Sequence, residues 1–186
     1  MALRTLSRRA LSARLGVLPV PAEDPATAAL IARLGGVRRR GAFSRAELLL
    51  MASWKSARAR PHYLRNSPGL VRAVSRAALA TRNERERMAH LTRLAGVSIP
   101  VASAILTLID PRRYGVLDIR VWQLLHALDP TIGNPRGRSF TVAHWEHYLD
   151  RLRAEARRRG VTARAMEWAL FHGHRALQRG LLYDPP

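Results

Sequence analysis

The 186-residue chain contains one lysine, Lys55, among its 32 Lys and Arg residues. Arg keeps its proton and forms no imine, whereas a desolvated Lys can lose its proton and act as a nucleophile. Lys55 lies in "ASWKSARARPHYLR", where Trp54, His62 and Tyr63 offer rings for stacking. In an Arg-rich chain a single surviving Lys also follows from codon bias alone. Against a covalent role codon bias is the favoured reading; for a place in or near the base or phosphate site the two stand even.

A second kind of chemistry here needs no charged side chain. In "LTRLAGVSIPVASAIL", residues 91–106, an apolar helical pattern runs into Ala95-Gly96 and restarts as another apolar helix. Gly96 suits the left-handed conformation that ends a helix, and lets an anion come close to the backbone. The N–H groups of Ser98, Ile99 and Val101 then open the next helix, where several donors lack partners. Pro100 supplies no N–H but is favoured in a first helical turn. Such a terminus can hold a phosphate without Lys or Arg. Leu91, Leu94, Val97, Val101, Ala104, Ile105 and Leu108 would lock the two helices together. An ordinary αα-hairpin that only packs a core fits the same pattern.

The histidines offer less. His144 and His147 share a helix face, but a zinc site needs a third ligand. His172 and His174 flank Gly173 near an expected helix end, where exposed His is common. Trp122, Trp145 and Trp168 read as core anchors. Arg38 to Arg40, Arg112-Arg113 and Arg136 to Arg138 lie in or beside loops, where a backbone phosphate can be reached.

The elements that must position these residues are helical throughout. No strand alternation appears, while helix start and stop signals recur. An amphipathic helix is expected over the first residues, from Leu3, Leu6, Ala10, Leu11 and Leu15. Further helices are expected over "PATAALIARL", over "RAELLLMASWKSA" behind a Ser44–Glu47 capping box, and over "GLVRAVSRAALA" behind Ser67-Pro68. Asn83 caps "ERERMAHLTRLA", and the hairpin leads into "PVASAILTLI". Asp118 begins "DIRVWQLLHAL", Thr141 begins "VAHWEHYLDRLRAEARRR", and Thr162 begins "ARAMEWALFHGHRALQR". The expectation is an all-α fold of about nine helices.

Composition bounds the partners. Apolar residues make up 47% of the chain, enough for a core, and there is no Cys, which excludes disulfides, thiolate metal sites and iron–sulfur clusters. The formal net charge is +19, with a pI near 11.9. A self-repelling excess of this size points to a polyanionic partner. Nucleic acid is favoured over membrane, because no apolar run is long enough to span a bilayer. The absence of an apolar block with a small-residue cleavage site argues against secretion, so a cytoplasmic, nucleoid-associated protein is expected.

"LAGVSIPVASAIL" followed by "YGVLDIRVW" resembles the helix-hairpin-helix DNA glycosylase superfamily. Leu94, Gly96, Val97 and Ala102 match its hairpin, and Val116, Asp118 and Trp122 match its aspartate segment. The strong resemblance covers residues 85–128, with "GAFSRAELLLMASWKS" and "VTARAMEWALF" similar to a less characterised bacterial branch. It implies a single unit over 1–186 with two interleaved helical lobes, the terminal helices packing together as the second. It also implies a monomer that extrudes one base from duplex DNA and hydrolyses its N-glycosidic bond. Asp118 would be catalytic, stabilising cationic character on the sugar and positioning water; capping the next helix requires the same residue and position.

Gly96, Ser98, Ile99, Val101, Arg112, Arg113 and Arg120 would contact DNA, and Trp54, Lys55, His62 and Tyr63 would stand near the base. No cofactor is required. A structural monovalent or divalent cation could sit on the backbone carbonyls of Thr92, Leu94 and Val97. Two departures qualify the match. The lysine with which bifunctional members attack the sugar is matched by Pro100, which implies a monofunctional enzyme using water. Ser98 replaces the second glycine of the hairpin. The alternatives are a catalytically inactive DNA-binding module on the same scaffold, and a small protein whose basic surface meets an acidic partner.

Overall fold

The structure, a computed structural model, describes residues 9–10, 13 and 16–177; most of the expected first helix lies outside them. Every regular element among the described residues is helical: α1 Pro25–Leu34, α2 Val37–Arg40, α3 Arg45–Lys55, α4 Arg60–Tyr63, α5 Pro68–Ala80, α6 Glu84–Leu91, α7 Ile99–Ile109, α8 Ile119–Leu128, α9 Val142–Arg158 and α10 Ala163–Leu177. Short 3-10 turns at Ala57–Ala59 and Pro130–Ile132 complete the set. No helix among these residues is long and apolar enough to cross a membrane.

The starts follow side-chain chemistry. Ser44 accepts the Glu47 N–H while Glu47 reaches back to the Ser44 N–H, closing the expected capping box. Ser67 accepts from Leu70, and Asn83 from Arg85 and Glu86. Each satisfies a donor that the first helical turn leaves unpaired.

Helix α7 is the centre. From Val101 to Ile109 every residue is buried, as is Ile99. A helix apolar on every face must be enclosed on every face. Helices α1, α3 and α6 pack on α7, while α8 and α9 pack with α10. Ser103 and Thr107, the polar residues in α7, turn their hydroxyls onto the carbonyls of Pro100 and Ser103, so burial leaves neither unsatisfied.

The hairpin between α6 and α7 turns on Gly96, at φ 82°. The Val97 N–H donates to Leu94 O at 3.0 Å. Asn66, 1% exposed in the α4–α5 loop, braces this turn from outside: it accepts the Ala95 N–H at 2.8 Å and donates to Ala95 O at 3.1 Å. A Cβ on Gly96 would stand 2.7 Å from His62 Cβ and 2.9 Å from Tyr63 Cδ1.

Helix α10 carries the unexpected polar core. Gly173 lies inside it and does not end it; Leu18 packs there, where a Cβ would meet Leu18 Cδ1 at 2.7 Å. His174, expected to be exposed, has no exposed surface. Its Nδ1 lies 3.4 Å from Arg120 Nη1 and its Nε2 2.9 Å from Gln123 Oε1. Arg can only donate, so Nδ1 accepts and Nε2 carries the proton. Burial, and then the charge of Arg120, lower this imidazole to about 4.

Two outcomes follow from this packing. Gly96→Ala combines a left-handed backbone with overpacking against His62 and Tyr63, and should lower unfolding stability by roughly 2–4 kcal/mol in denaturant titration. For His174, the unfolded chain takes up a proton near pH 6.5 that the folded protein refuses until about 4. Stability is therefore complete above about pH 6.5 and should fall by up to roughly 3 kcal/mol as pH drops toward 4. His174→Gln should flatten that slope in denaturant midpoints taken from pH 7 to pH 4; an unchanged slope would contradict the assignment.

Candidate functional site

Lys55 and Asp118 meet, from 63 residues apart in sequence, with Nζ 2.9 Å from Oδ2. Their side chains are 21% and 20% exposed. Lys55 ends α3, which packs along the buried α7, and the chain turns away at once through Ser56. Asp118 is the N-cap of α8, as expected, and its Oδ1 accepts the Arg120 N–H at 2.9 Å. The two carboxylate oxygens divide the work: one caps a helix, the other holds the amine.

The segment before Asp118 is fixed from three sides. The Leu117 N–H donates to Ser103 Oγ on α7 at 2.9 Å. The Tyr148 hydroxyl of α9 donates to Val116 O at 2.7 Å. Gly115 passes so close to α9 and α10 that a Cβ would lie 2.6 Å from Leu152 Cδ2 and 2.7 Å from Glu167 Cβ. Only glycine fits there.

A cleft of about 460 Å³ opens beside Lys55, walled by Lys55, Ser56 and Arg58 on one side and by Ser98, Pro100 and Val101 on the other. Lys55 lines it; Asp118 stands behind Lys55. The amine of α3 thus shares a cleft with Pro100. The rim includes the start of α7, where Ser98 is exposed and makes no side-chain capping bond. The N–H groups of Ile99 and Val101 open that helix under an exposed Gly96.

Behind the pair lies an arginine hub. Arg164, 5% exposed, is bound by Glu23 at 2.6 and 2.8 Å and by the buried Glu167. Its guanidinium stands 4.7 Å from the Trp168 ring centroid and 5.7 Å from that of Trp54. Burial opposes the charge on Arg164, but the hydrogen bonds it donates to Glu23 and the field of Glu167 more than restore it, raising its pKa above the ordinary value. Glu167 is pushed up to about 7 by burial, which Arg164 only partly offsets. Burial likewise holds the Tyr148 hydroxyl well above its ordinary value, favouring the neutral donor that Val116 requires.

Several residues expected at the site are elsewhere. Trp54 donates its Nε1–H to Thr27 Oγ1 at 3.2 Å and packs under Arg164, so it anchors α3 to α1 and α10 and does not face the cleft. Tyr63 is fully buried behind Gly96, because the turn needs backing on that side; His62 is exposed next to the same glycine. Arg112 and Arg113 follow the far end of α7, about 16 Å along its axis from the hairpin, and Arg113 is paired with Glu84 at 3.3 Å. Arg120 adjoins Asp118 but leans on His174 and on the Phe171 ring, 6.0 Å away. Of the carbonyls proposed for a cation, that of Leu94 takes the Val97 N–H; a carbonyl oxygen has room for a second partner, so Thr92, Leu94 and Val97 stay compatible with a backbone-bound ion.

A second cleft, of about 490 Å³, opens at the far end of α7 between Arg38, Arg82 and Arg113. Its nearby carboxylates are already engaged: Asp110 by Arg38 at 3.0 Å, Glu84 by Arg87, Arg113 and Arg153. It offers neither nucleophile nor free base. Trp122 and Trp145 are core residues, as expected, at 1% and 0% exposure.

Sequence reading missed Asn66, Ser103, Arg58, Glu167 and the buried role of His174. The nearest available signal was Glu167's place on the apolar face of α10, three residues after Arg164, where an i,i+3 pair can form. No family model matches the chain, and no curated protein or solved structure does either.

Proposed function

We propose that this chain is a DNA N-glycosylase in which Lys55 attacks C1′ of an extruded deoxynucleoside while Asp118 accepts the amine's proton. The observation that carries the reading is Lys55, at the wall of a cleft rimmed by the uncapped start of α7, with its amine 2.9 Å from Asp118 behind it. The lysine nitrogen bonds to C1′ as the C1′–N bond to the base breaks, and the base leaves with the electron pair. The proton held on Asp118 is then available to that base, and as the C1′–O4′ bond opens O4′ takes a proton from the lysine nitrogen, leaving the iminium that borohydride reduces.

The pairing itself weighs against the hydrolytic route expected from Pro100. An ammonium 2.9 Å from the carboxylate cancels much of the field that a cationic sugar would feel. Pro100 and Lys55 line the same cleft, so an amine from α3 stands where α7 lacks one. The resemblance of residues 85–128 to the helix-hairpin-helix glycosylases and the +19 charge support DNA as the partner. The backbone N–H groups after Gly96 would hold a phosphate. The exposed Leu64 and Leu70, on either side of the Asn66 brace, suit the gap an extruded base leaves.

Borohydride reduction of reactions with base-modified duplexes tests the route. A covalent protein–DNA adduct should form with the wild type and disappear in Lys55→Gln, while Asp118→Asn should slow base release by about 10²-fold or more. If Lys55→Gln keeps base release and no adduct is trapped, water is the nucleophile. Salt-sensitive binding without any abasic product favours the inactive DNA-binding module. Binding itself should weaken steeply with salt: about 6 phosphate contacts give a log–log slope near −5. No saturable duplex binding at physiological salt would point to an acidic protein partner.

A further inference from the structure

We infer that the cleft beside Lys55 takes a neutral base rich in ring carbonyl oxygens, of the uracil or oxidised-base kind, and rejects cationic N-alkylated bases. This rests on the glycosylase reading above and names the substrate class of the same site.

The argument is the donor–acceptor balance of the cleft. Its polar side chains are Lys55, Arg58, Ser56 and Ser98, and no aromatic ring lines it. Trp54 and Tyr63, the rings nearest in sequence, are committed to Thr27 and to the back of Gly96. Arg58 is exposed and has no carboxylate partner among the described residues. A guanidinium has five N–H donors and no acceptor, and an ammonium already bonded to Asp118 keeps two more donors. Asp118, the carboxylate at this site, is occupied by Lys55 on one oxygen and by the Arg120 N–H on the other.

A cationic base finds two cations and no free anion here. Favourable recognition of such a ring uses aromatic faces or carboxylates, and the cleft presents neither. A base with several carbonyl oxygens finds the reverse: acceptors meet donors on both walls. The chemistry points the same way. When the C1′–N bond breaks, its electron pair passes to the base and spreads over those oxygens. Arg58 and the serine hydroxyls would face charge that grows in the transition state, where a preorganised donor has its largest effect.

The test uses the full chain with duplexes carrying uracil, 5-hydroxyuracil, 8-oxoguanine or 7-methylguanine. Affinity is measured with the wild type on 2′-fluoro forms of all four duplexes, which resist base loss and leave Asp118 in place, and base release with the wild type on the deoxy forms. Carbonyl-rich duplexes should bind at least about ten-fold more tightly than the 7-methylguanine duplex, and Arg58→Ala should remove about that factor. A preference for 7-methylguanine, or a preference indifferent to Arg58→Ala, overturns the inference while base release keeps the glycosylase reading. Arg58-dependent preference without release from any substrate keeps the recognition and overturns the catalytic reading. Neither preference nor release overturns both.

Discussion

The molecule is organised by one constraint, the burial of α7 from Val101 to Ile109. A helix of Ile, Val, Ala and Leu with both ends set by turns can be enclosed only if other helices cover every face. Enclosure leaves no room for a charged side chain along it, so whatever chemistry the fold supports must collect at its ends. At the N-terminal end the backbone itself provides donors. At the C-terminal end Asp110 takes Arg38, and the nearby Glu84 takes Arg87, Arg113 and Arg153. The two clefts of similar size thus differ in kind: one has an amine, backed by a carboxylate, beside the start of α7, and the other has arginines whose neighbouring carboxylates are already paired.

Positioning of Asp118 shows how packing becomes geometry. Ser103 is buried in α7, where a hydroxyl without partners would cost about 1–3 kcal/mol. It meets that cost by donating to Pro100 O and accepting from Leu117 N. The second bond places the residue next to Asp118 against the middle of α7, and Tyr148 holds the residue before that from the other side. The carboxylate is then set by a polar requirement of the core. On the opposite wall, Trp54 is pinned by Thr27 and Arg164, which fixes the helix end bearing Lys55. Arg164 and its two carboxylates thus stiffen both halves of the pair from behind.

Local signals were the legible part of this fold. Capping residues, Pro and Gly marked helix starts and ends, because caps depend on a few neighbouring residues. The turn at Gly96 and the cap at Asp118 were readable for that reason. Trp54 and Tyr63 were misplaced because an aromatic near a candidate nucleophile looks the same in sequence whether it faces a ligand or a core. His174 was misread because Gly173 looked like a helix end; only the approach of Leu18, from more than 150 positions away in the chain, makes it a packing site. Nor does sequence spacing bring Lys55 to Asp118, because their meeting depends on where α3 docks on α7 and α8 on α9 and α10.

The identity of the one lysine acquires a physical reason in this setting. Arginine serves well wherever the task is to bind phosphate or close an ion pair, and many arginines here are held in ion pairs. On the glycosylase reading proposed above, the task at the end of α3 differs: the residue pairs with Asp118 and must still present an atom that can bond to the sugar. A guanidinium in that place would satisfy the carboxylate and fill the cleft with a planar fork, ending any nucleophilic role. An amine pairs through one hydrogen and keeps the rest directed outward. An Arg-rich composition by itself makes lysines few. It does not explain why the one that persists lies 2.9 Å from the carboxylate that begins α8.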